Sequence, residues 1–340
     1  MLKEHAKPSN RRQDIIHPSE MAKTGWCPRA TYYRIKACKE ANNPYLKPAE
    51  SIGVQLLNIF DEGHMIHDKW QKRLRDMGVL WGNWKCISCG EHYHNQLPKE
   101  GCDYCGGVDT LIYTEVPLRS EQYLISGHAD GAVPHLNALI EIKSVGAGTV
   151  RIEAPDIYSK YVDGQKIDLT GLWKAIEEPF PSHIRQGQLY LALCRLMGLS
   201  YDRIIFIYEA KFNQGVKEFV VPFDPDFCDD MLYQANLIKN VIERPDFKPN
   251  GENCPECKHK NLVYPFICEC AEPIKCPTNG CKDCESYGIQ KSSSTVGVEH
   301  TAGGIGREGT NSPTTPIKRT STTTHRVIRS VRPPTDEALH

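Results

Sequence analysis

The chain lacks three features that would have assigned it to a class at once. No run approaches the roughly 18 consecutive apolar residues of a membrane-spanning helix. Its first residues, "MLKEHAKPSNRRQD", lack the apolar core of a secretory signal. It also lacks net charge: 41 Lys and Arg against 42 Asp and Glu leave −1, which removes any bulk electrostatic attraction to nucleic acid. Such a partner would have to be held by local patches, and Lys69, Lys72, Arg73 and Arg75 form one. No internal repeat is visible either. These absences lead to the expectation of a soluble intracellular protein with no membrane association. With 340 residues, 40% of them hydrophobic, the chain can form one large domain with insertions or two smaller ones.

Cysteine, by contrast, is abundant, at 15 residues. In a chain without a secretory signal, closely spaced cysteines hold metal more often than they form disulfides. Cys27 and Cys38 come early, four lie between Cys86 and Cys105, and seven lie between Cys254 and Cys284. Cys194 and Cys228 stand alone in helix-like segments and read as small buried hydrophobes.

Residues 18–38 read as a helix that breaks near Gly25–Pro28 and resumes. Residues 50–77 carry the longest helical pattern. There Ile52, Leu56, Ile59, Phe60, Gly63, His67, Trp70 and Leu74 recur at three- and four-residue steps, as on one helix face. A cysteine-rich insertion occupies 81–110. Strand-like runs follow at 111–119, 122–133 and 137–145, then at 203–211 and 216–222, with helical patterns at 183–198 and 226–243. Residues 146–182 give no clear pattern. Beyond about 286 the sequence is rich in Ser, Thr and Gly with almost no apolar periodicity, and 287–340 reads as a disordered tail.

The strand-like stretch "SGHADGAVPHLNALIEIKSVG" places Asp130, Glu141 and Lys143 inside hydrophobic runs. Residues two apart in a strand share a face, so Glu141 and Lys143 point one way while Ile140 and Ile142 point the other. Asp130 ends the preceding strand, before Gly131, where a chain bends readily. Pairing the two strands brings Asp130 beside Glu141 and Lys143. Two carboxylates there suit a divalent cation such as Mg²⁺ or Mn²⁺, with the lysine orienting a water or stabilising charge on phosphate. A cross-strand ion pair on an exposed sheet edge is the alternative. His67, on the apolar stripe one turn after Gly63, reads as either a core residue or a ligand. Gln186 and Tyr190, four apart in "HIRQGQLYLAL", share a helix face.

Taken together, these residues follow the order His, Asp, Glu-x-Lys, Gln-x-x-x-Tyr. In this the sequence resembles the PD-(D/E)XK nucleases, specifically the RecB-like exonuclease branch that includes CRISPR-associated and phage exonucleases. The matching pieces are "GWCPR" at 25–29, "FDEGHMIHDKW" at 60–70, "GHADG" at 127–131, "EIK" at 141–143 and "QGQLY" at 186–190. The resemblance implies an α/β restriction-endonuclease-like core, a mixed central sheet flanked by helices. It implies a metal held by His67, Asp130, Glu141 and the backbone carbonyl of Ile142, a catalytic Lys143, and Gln186 and Tyr190 shaping the site and contacting DNA. A histidine among oxygen ligands favours Mn²⁺ over Mg²⁺. The implied activity is exonuclease cleavage of single-stranded DNA or DNA ends in recombination, repair, phage replication or CRISPR-type processing. Partner proteins would come from those systems, and the setting would be the cytoplasm of a prokaryotic cell or a phage-infected host. A non-catalytic zinc-ribbon scaffold for nucleic acid and a restriction-type endonuclease are the competing readings.

The insertion "CISCGEHYHNQLPKEGCDYCGG" carries Cys86, Cys89, Cys102 and Cys105 as two CxxC knuckles separated by 12 residues, each followed by a glycine. This spacing predicts a closed four-thiolate zinc site, a zinc ribbon that staples a hairpin with little core of its own. His92 and His94 are spare, and the pattern leaves open whether the hairpin grips DNA or protein. For the remaining cysteines the resemblance implies a [4Fe–4S] cluster held by Cys27, Cys254, Cys257 and a fourth ligand. That ligand is Cys268 or Cys270, both farther from the pair than the family usually places it. Choosing Cys268 leaves Cys270, Cys276, Cys281 and Cys284 for a second zinc site. A rival partition pairs Cys254 and Cys257 with Cys281 and Cys284 as a zinc ribbon and leaves Cys27 without a role. Cys38 has none in either scheme. The expected organisation is an N-terminal helical part (1–80), an inserted zinc ribbon (81–110), a nuclease core (111–250), a cysteine-rich metal-bound region (251–286) and a tail (287–340).

Overall fold

A computed structural model describes residues 11–46, 53–96 and 100–243. Cys254, Cys257, Cys268, Cys270, Cys276, Cys281, Cys284 and the 287–340 segment lie outside the described residues. The chain begins with helices α1 (Pro18–Met21), α2 (Pro28–Glu40) and α3 (Val54–Asp76). Strands β1 (Gly82–Cys86), β2 (His92–Gln96) and β3 (Leu111–Tyr113) form the insertion's small sheet. Then come β4 (Val116–Ser120), β5 (Ile125–Ala129), β6 (Gly131–Val133) and β7 (Ala138–Val145). Helices α4 (Ala147–Glu153) and α5 (Pro155–Ser159) precede a small hairpin, β8 (Val162–Asp163) and β9 (Lys166–Ile167). The described chain closes with α6 (Leu169–Ala175), α7 (Pro181–Leu196), β10 (Arg203–Ala210), β11 (Val216–Pro222) and α8 (Asp229–Glu243).

Local chemistry sets several of these boundaries. Proline opens α1, α2 and α7, where its missing N–H has no helical partner to lose. Gly25, at φ +79°, adopts the left-handed turn that separates α1 from α2. The Cys27 sulfur caps α2 by accepting from the Ala30 N–H at 3.3 Å.

The central sheet is mixed, in the order β11-β10-β7-β6. β7 and β10 run parallel, from Arg203 opposite Ala138 to Ala210 opposite Val145. β6 and β11 flank them antiparallel. A parallel pair needs a long crossover, and α4 to α7 supply it. That accounts for residues 146–182, whose short helices are held by tertiary contact: Val150, Leu172, Trp173 and Phe180 are all buried in the core.

The two inner strands, β7 and β10, are buried on both faces, while β11 is exposed along one side. One face carries Leu139, Ile204, Phe206 and Tyr208 against α7. The other carries Ile140, Ile142, Ile205 and Ile207 against Ile66 and Leu74 of α3 and against the insertion's Trp84 and Leu111. Contact between α7 and β10 is close enough that a Cβ on Gly187 would come 2.8 Å from Phe206 and 2.9 Å from Ile204. Among the described residues no helix is long and apolar enough to cross a membrane.

Three expectations are corrected, and the basic cluster on α3 is found with partners in the molecule. The 122–133 run is not one strand: β5 and β6 lie in different sheets, with a bend at Asp130 between them. The 111–119 run is two strands, because Glu115 adopts a left-handed φ of +65° and turns the chain from β3, in the insertion's sheet, to β4. The apolar face of α3 is not buried throughout: Ile66 and Leu74 are covered, while Leu56, Ile59 and Phe60 are exposed, since only the later turns of the helix lie over the sheet. The basic cluster on α3 is engaged within the molecule. Lys69 bonds Glu209, Lys72 pairs with Asp76, Arg73 lies over Trp70, and Arg75 lies over Trp84.

Candidate active site and cysteine centre

Asp130 and His67 meet where β6 leaves β7. β6 pairs with β7 only from Ala138 to Ile140, so the next stretch of that β7 edge has no strand beside it. The Asp130 carboxylate fills the place of the missing strand. Its Oδ2 accepts the Ile142 N–H at 2.6 Å, and its Oδ1 accepts from His67 Nδ1 at 3.1 Å. A strand residue's N–H and C=O point to the same side, so the Ile142 carbonyl faces this edge as well.

Glu141 points to the opposite face, toward α7. Its Oε1 accepts from Lys143 Nζ at 2.8 Å and from Gln186 Nε2 at 3.0 Å. Gln186 in turn accepts from Lys143 at 2.9 Å and donates to the Tyr190 hydroxyl at 2.8 Å. Lys143 is thereby fixed between two acceptors, and the i, i+4 spacing of Gln186 and Tyr190 is a direct hydrogen bond. Glu141 Oε2 is buried and has no hydrogen-bond partner among the described residues.

Electrostatics follow from this packing. Burial, and then the charge of Asp130, raise the Glu141 carboxyl to about 7, against the opposing pull of Lys143 and His67. Burial lowers the His67 imidazole, but the bond to Asp130 and its charge outweigh that, and the net shift is upward. Burial, and then Glu141, push the Tyr190 hydroxyl well above its ordinary range.

Some neighbours of the site were not anticipated. Gln71, one turn beyond His67, donates to the Asp130 carbonyl at 3.3 Å, and its spacing of four from His67 is a signal that could have found it. His183, three residues before Gln186, bonds the Tyr208 hydroxyl on the strand beside Lys143. Glu115 is raised to about 7 by burial and then by Asp130, and nothing in its local sequence marks it.

The four insertion cysteines form a second centre. All four sulfurs lie within 4.8 Å of one another and could hold a metal ion, the one such group of three or more His, Cys, Asp or Glu ligands among the described residues. Cys86 and Cys105 are 3.7 Å apart, and Cys89 and Cys102 are 3.6 Å apart. Gly90 and Gly106 take left-handed φ values of +81° and +68° just after each knuckle. His92 and His94 are exposed and stack on each other. Cys27 is buried at the start of α2, Cys38 is buried beside the Leu46 carbonyl, and Cys194 and Cys228 are fully buried.

No protein-family model matches this sequence, and no curated protein matches it. Among solved structures the chain is similar to an alkaline exonuclease (LHK-Exo) from Laribacter hongkongensis. That match has 12% identity and a TM-score of 0.39 over 69% of this chain and 90% of that one. The chain is also similar to the protein SSO0001, at 16% identity and a TM-score of 0.30, over 76% of this chain and 91% of that one. Both TM-scores fall below 0.5, and the reading of the site rests on its own geometry.

Proposed function

We propose that this chain is a metal-dependent deoxyribonuclease of the PD-(D/E)XK superfamily, in the RecB-like exonuclease branch, acting on single-stranded DNA or DNA ends. The observation that carries the reading is the Glu141 carboxylate, buried within the field of the Asp130 charge, with Oε2 unpartnered among the described residues. An ionised carboxylate left this way is strongly disfavoured, and a divalent cation shared with Asp130 would remove the penalty. Among the residues present, His67, Asp130, Glu141 and the Ile142 carbonyl are hard or borderline donors that suit Mg²⁺ or Mn²⁺.

When bound, that cation supplies an activated water and neutralises charge on the scissile phosphate. The chain's own residues do the rest. His67 bonds Asp130 through Nδ1, which holds the imidazole beside that carboxylate. Lys143, held by Glu141 and Gln186, offers an ammonium to orient the water and to stabilise the developing charge. Gln186 holds Glu141 in place, and Tyr190, buried beneath it, holds Gln186.

Zinc suits the four insertion thiolates. Tetrahedral Zn–S bonds of about 2.3 Å put sulfurs roughly 3.8 Å apart, close to the 3.6 and 3.7 Å spacings here. The role is structural, in a zinc ribbon inserted between the helical part (1–80) and the nuclease core (111–250). A [4Fe–4S] cluster on Cys27, Cys254, Cys257 and Cys268, and a second zinc on Cys270, Cys276, Cys281 and Cys284, are proposed from the resemblance. Service in recombination, repair, phage replication or CRISPR-type processing is proposed by analogy alone.

End-labelled single- and double-stranded DNA, incubated with Mg²⁺ or Mn²⁺ and either wild type or Lys143→Ala, tests the reading. Metal-dependent progressive shortening that the variant loses is the expected result. Equal shortening by both proteins, or DNA binding without cleavage, would overturn it, and discrete duplex fragments would replace the exonuclease with an endonuclease.

A further inference from the structure

The insertion is anchored at its base and bare at its tip. Trp84 and Leu111 are buried against the central sheet, and Trp81 exchanges two backbone hydrogen bonds with Ala132 of β6, at 2.9 and 3.0 Å. At the far end both knuckles wrap the same four sulfurs, with Ile87 between Cys86 and Cys89 and Tyr104 between Cys102 and Cys105. Val108 follows in the return segment, bridged to Gly101. These three apolar side chains are 64, 77 and 72% exposed. A stapled hairpin that turns its largest side chains outward at one end gains nothing for its own core, and grouped exposed apolar residues of this kind mark contact surfaces.

Among the described residues the charges beside them are mostly acidic. Glu91, Glu100, Asp103 and Asp109 are exposed around the knuckles, against Lys85 as the one lysine or arginine among the described residues of the insertion. A phosphate backbone would meet that acidic rim and be repelled. A second copy's tip would bring the same carboxylates face to face. The complement is a polypeptide with an apolar stretch flanked by Lys or Arg.

We infer that the tip formed by Ile87, Tyr104 and Val108 is a docking surface for a basic, apolar protein segment. Ile87 and Tyr104 each sit within a knuckle whose backbone the four sulfurs hold together, and tyrosine is a common anchor of such contacts. None of these residues belongs to the acidic site, so the inference stands or falls separately from the nuclease reading.

The test is fluorescence anisotropy on the metal-loaded full chain near physiological ionic strength. One probe is a short synthetic peptide alternating Leu or Val with Lys or Arg, and the other is a short single-stranded oligonucleotide. The variant is Ile87→Ser with Tyr104→Ser, which touches no thiolate; its metal content serves as the folding control. The peptide should bind wild type about tenfold more tightly than it binds the variant, and more tightly than a Glu-for-Lys peptide binds wild type. The oligonucleotide should bind both proteins alike. Equal peptide affinities, or no peptide binding to wild type, would overturn the inference. Oligonucleotide affinity that falls with the tip residues would instead make nucleic acid the occupant.

Discussion

Replacing Glu209 by alanine would remove an acceptor that two consecutive residues of α3 share. Glu209 lies on β10 and is 2% exposed. One of its oxygens bonds Lys69, and the other accepts from Trp70 Nε1 at 2.6 Å. Breaking a fully buried ion pair costs about 3–5 kcal/mol, but the Lys69 side chain is 35% exposed and its ammonium can turn to water. Its share is then at most about 1 kcal/mol. The Trp70 indole is half-buried, and leaving its N–H without an acceptor costs about 1–3 kcal/mol. The expected loss is therefore about 2–3 kcal/mol, between a surface pair and a fully buried one. Glu209→Gln retains an acceptor for Trp70 and should lose about 1 kcal/mol or less. Urea denaturation reads both variants as midpoint shifts at constant slope. If alanine and glutamine prove equally damaging, the charge matters and the Trp70 bond does not. A loss under about 0.5 kcal/mol for alanine, the level of an ordinary surface change, would refute the clamp altogether.

Two further outcomes are expected. His183 is held well below its ordinary value of 6.5, by burial first and then by the charge of Lys143. Below pH 6.5 the unfolded chain takes up a proton that the folded chain refuses, so this site's stabilisation is present above that pH and is lost as pH falls toward the folded value. His183→Asn, which keeps an acceptor for Tyr208, should flatten the fall in stability on acidification; an unchanged slope would exclude the effect. Separately, Cys86→Ser with Cys102→Ser should reduce the zinc content of the purified chain by about one equivalent and lower its melting temperature. Unchanged metal content would remove zinc from the insertion.

Sequence reading worked best where the controlling interaction spans four residues or fewer. The CxxC spacing could be read as a metal site because both ligands of a knuckle sit in one turn. Gln186 and Tyr190 could be paired because one helical turn separates them, and their bond is present at 2.8 Å. The strand that carries Glu141 and Lys143 was legible from alternation, but the division of 122–133 into β5 and β6 at Asp130 was not, because it depends on which sheet each half joins. The crossover through residues 146–182 was not, because its short helices and minimal hairpin have little periodicity of their own and are held by burial of Val150, Leu172, Trp173 and Phe180.

Taken alone, the sequence determined which residue types could meet: a carboxylate pair, a lysine two residues on, and four thiolates at knuckle spacing. Only the tertiary structure decided which atoms of those groups are already committed and which remain open. It bonded Asp130 to His67 and to the Ile142 N–H, left Glu141 Oε2 without a partner among the described residues, and engaged Lys69, which reads as a free cation on α3, with Glu209 on β10. These outcomes join residues 12 to 140 positions apart. No local propensity encodes them, since they follow from how two helices settle on a sheet whose two inner strands are buried on both faces.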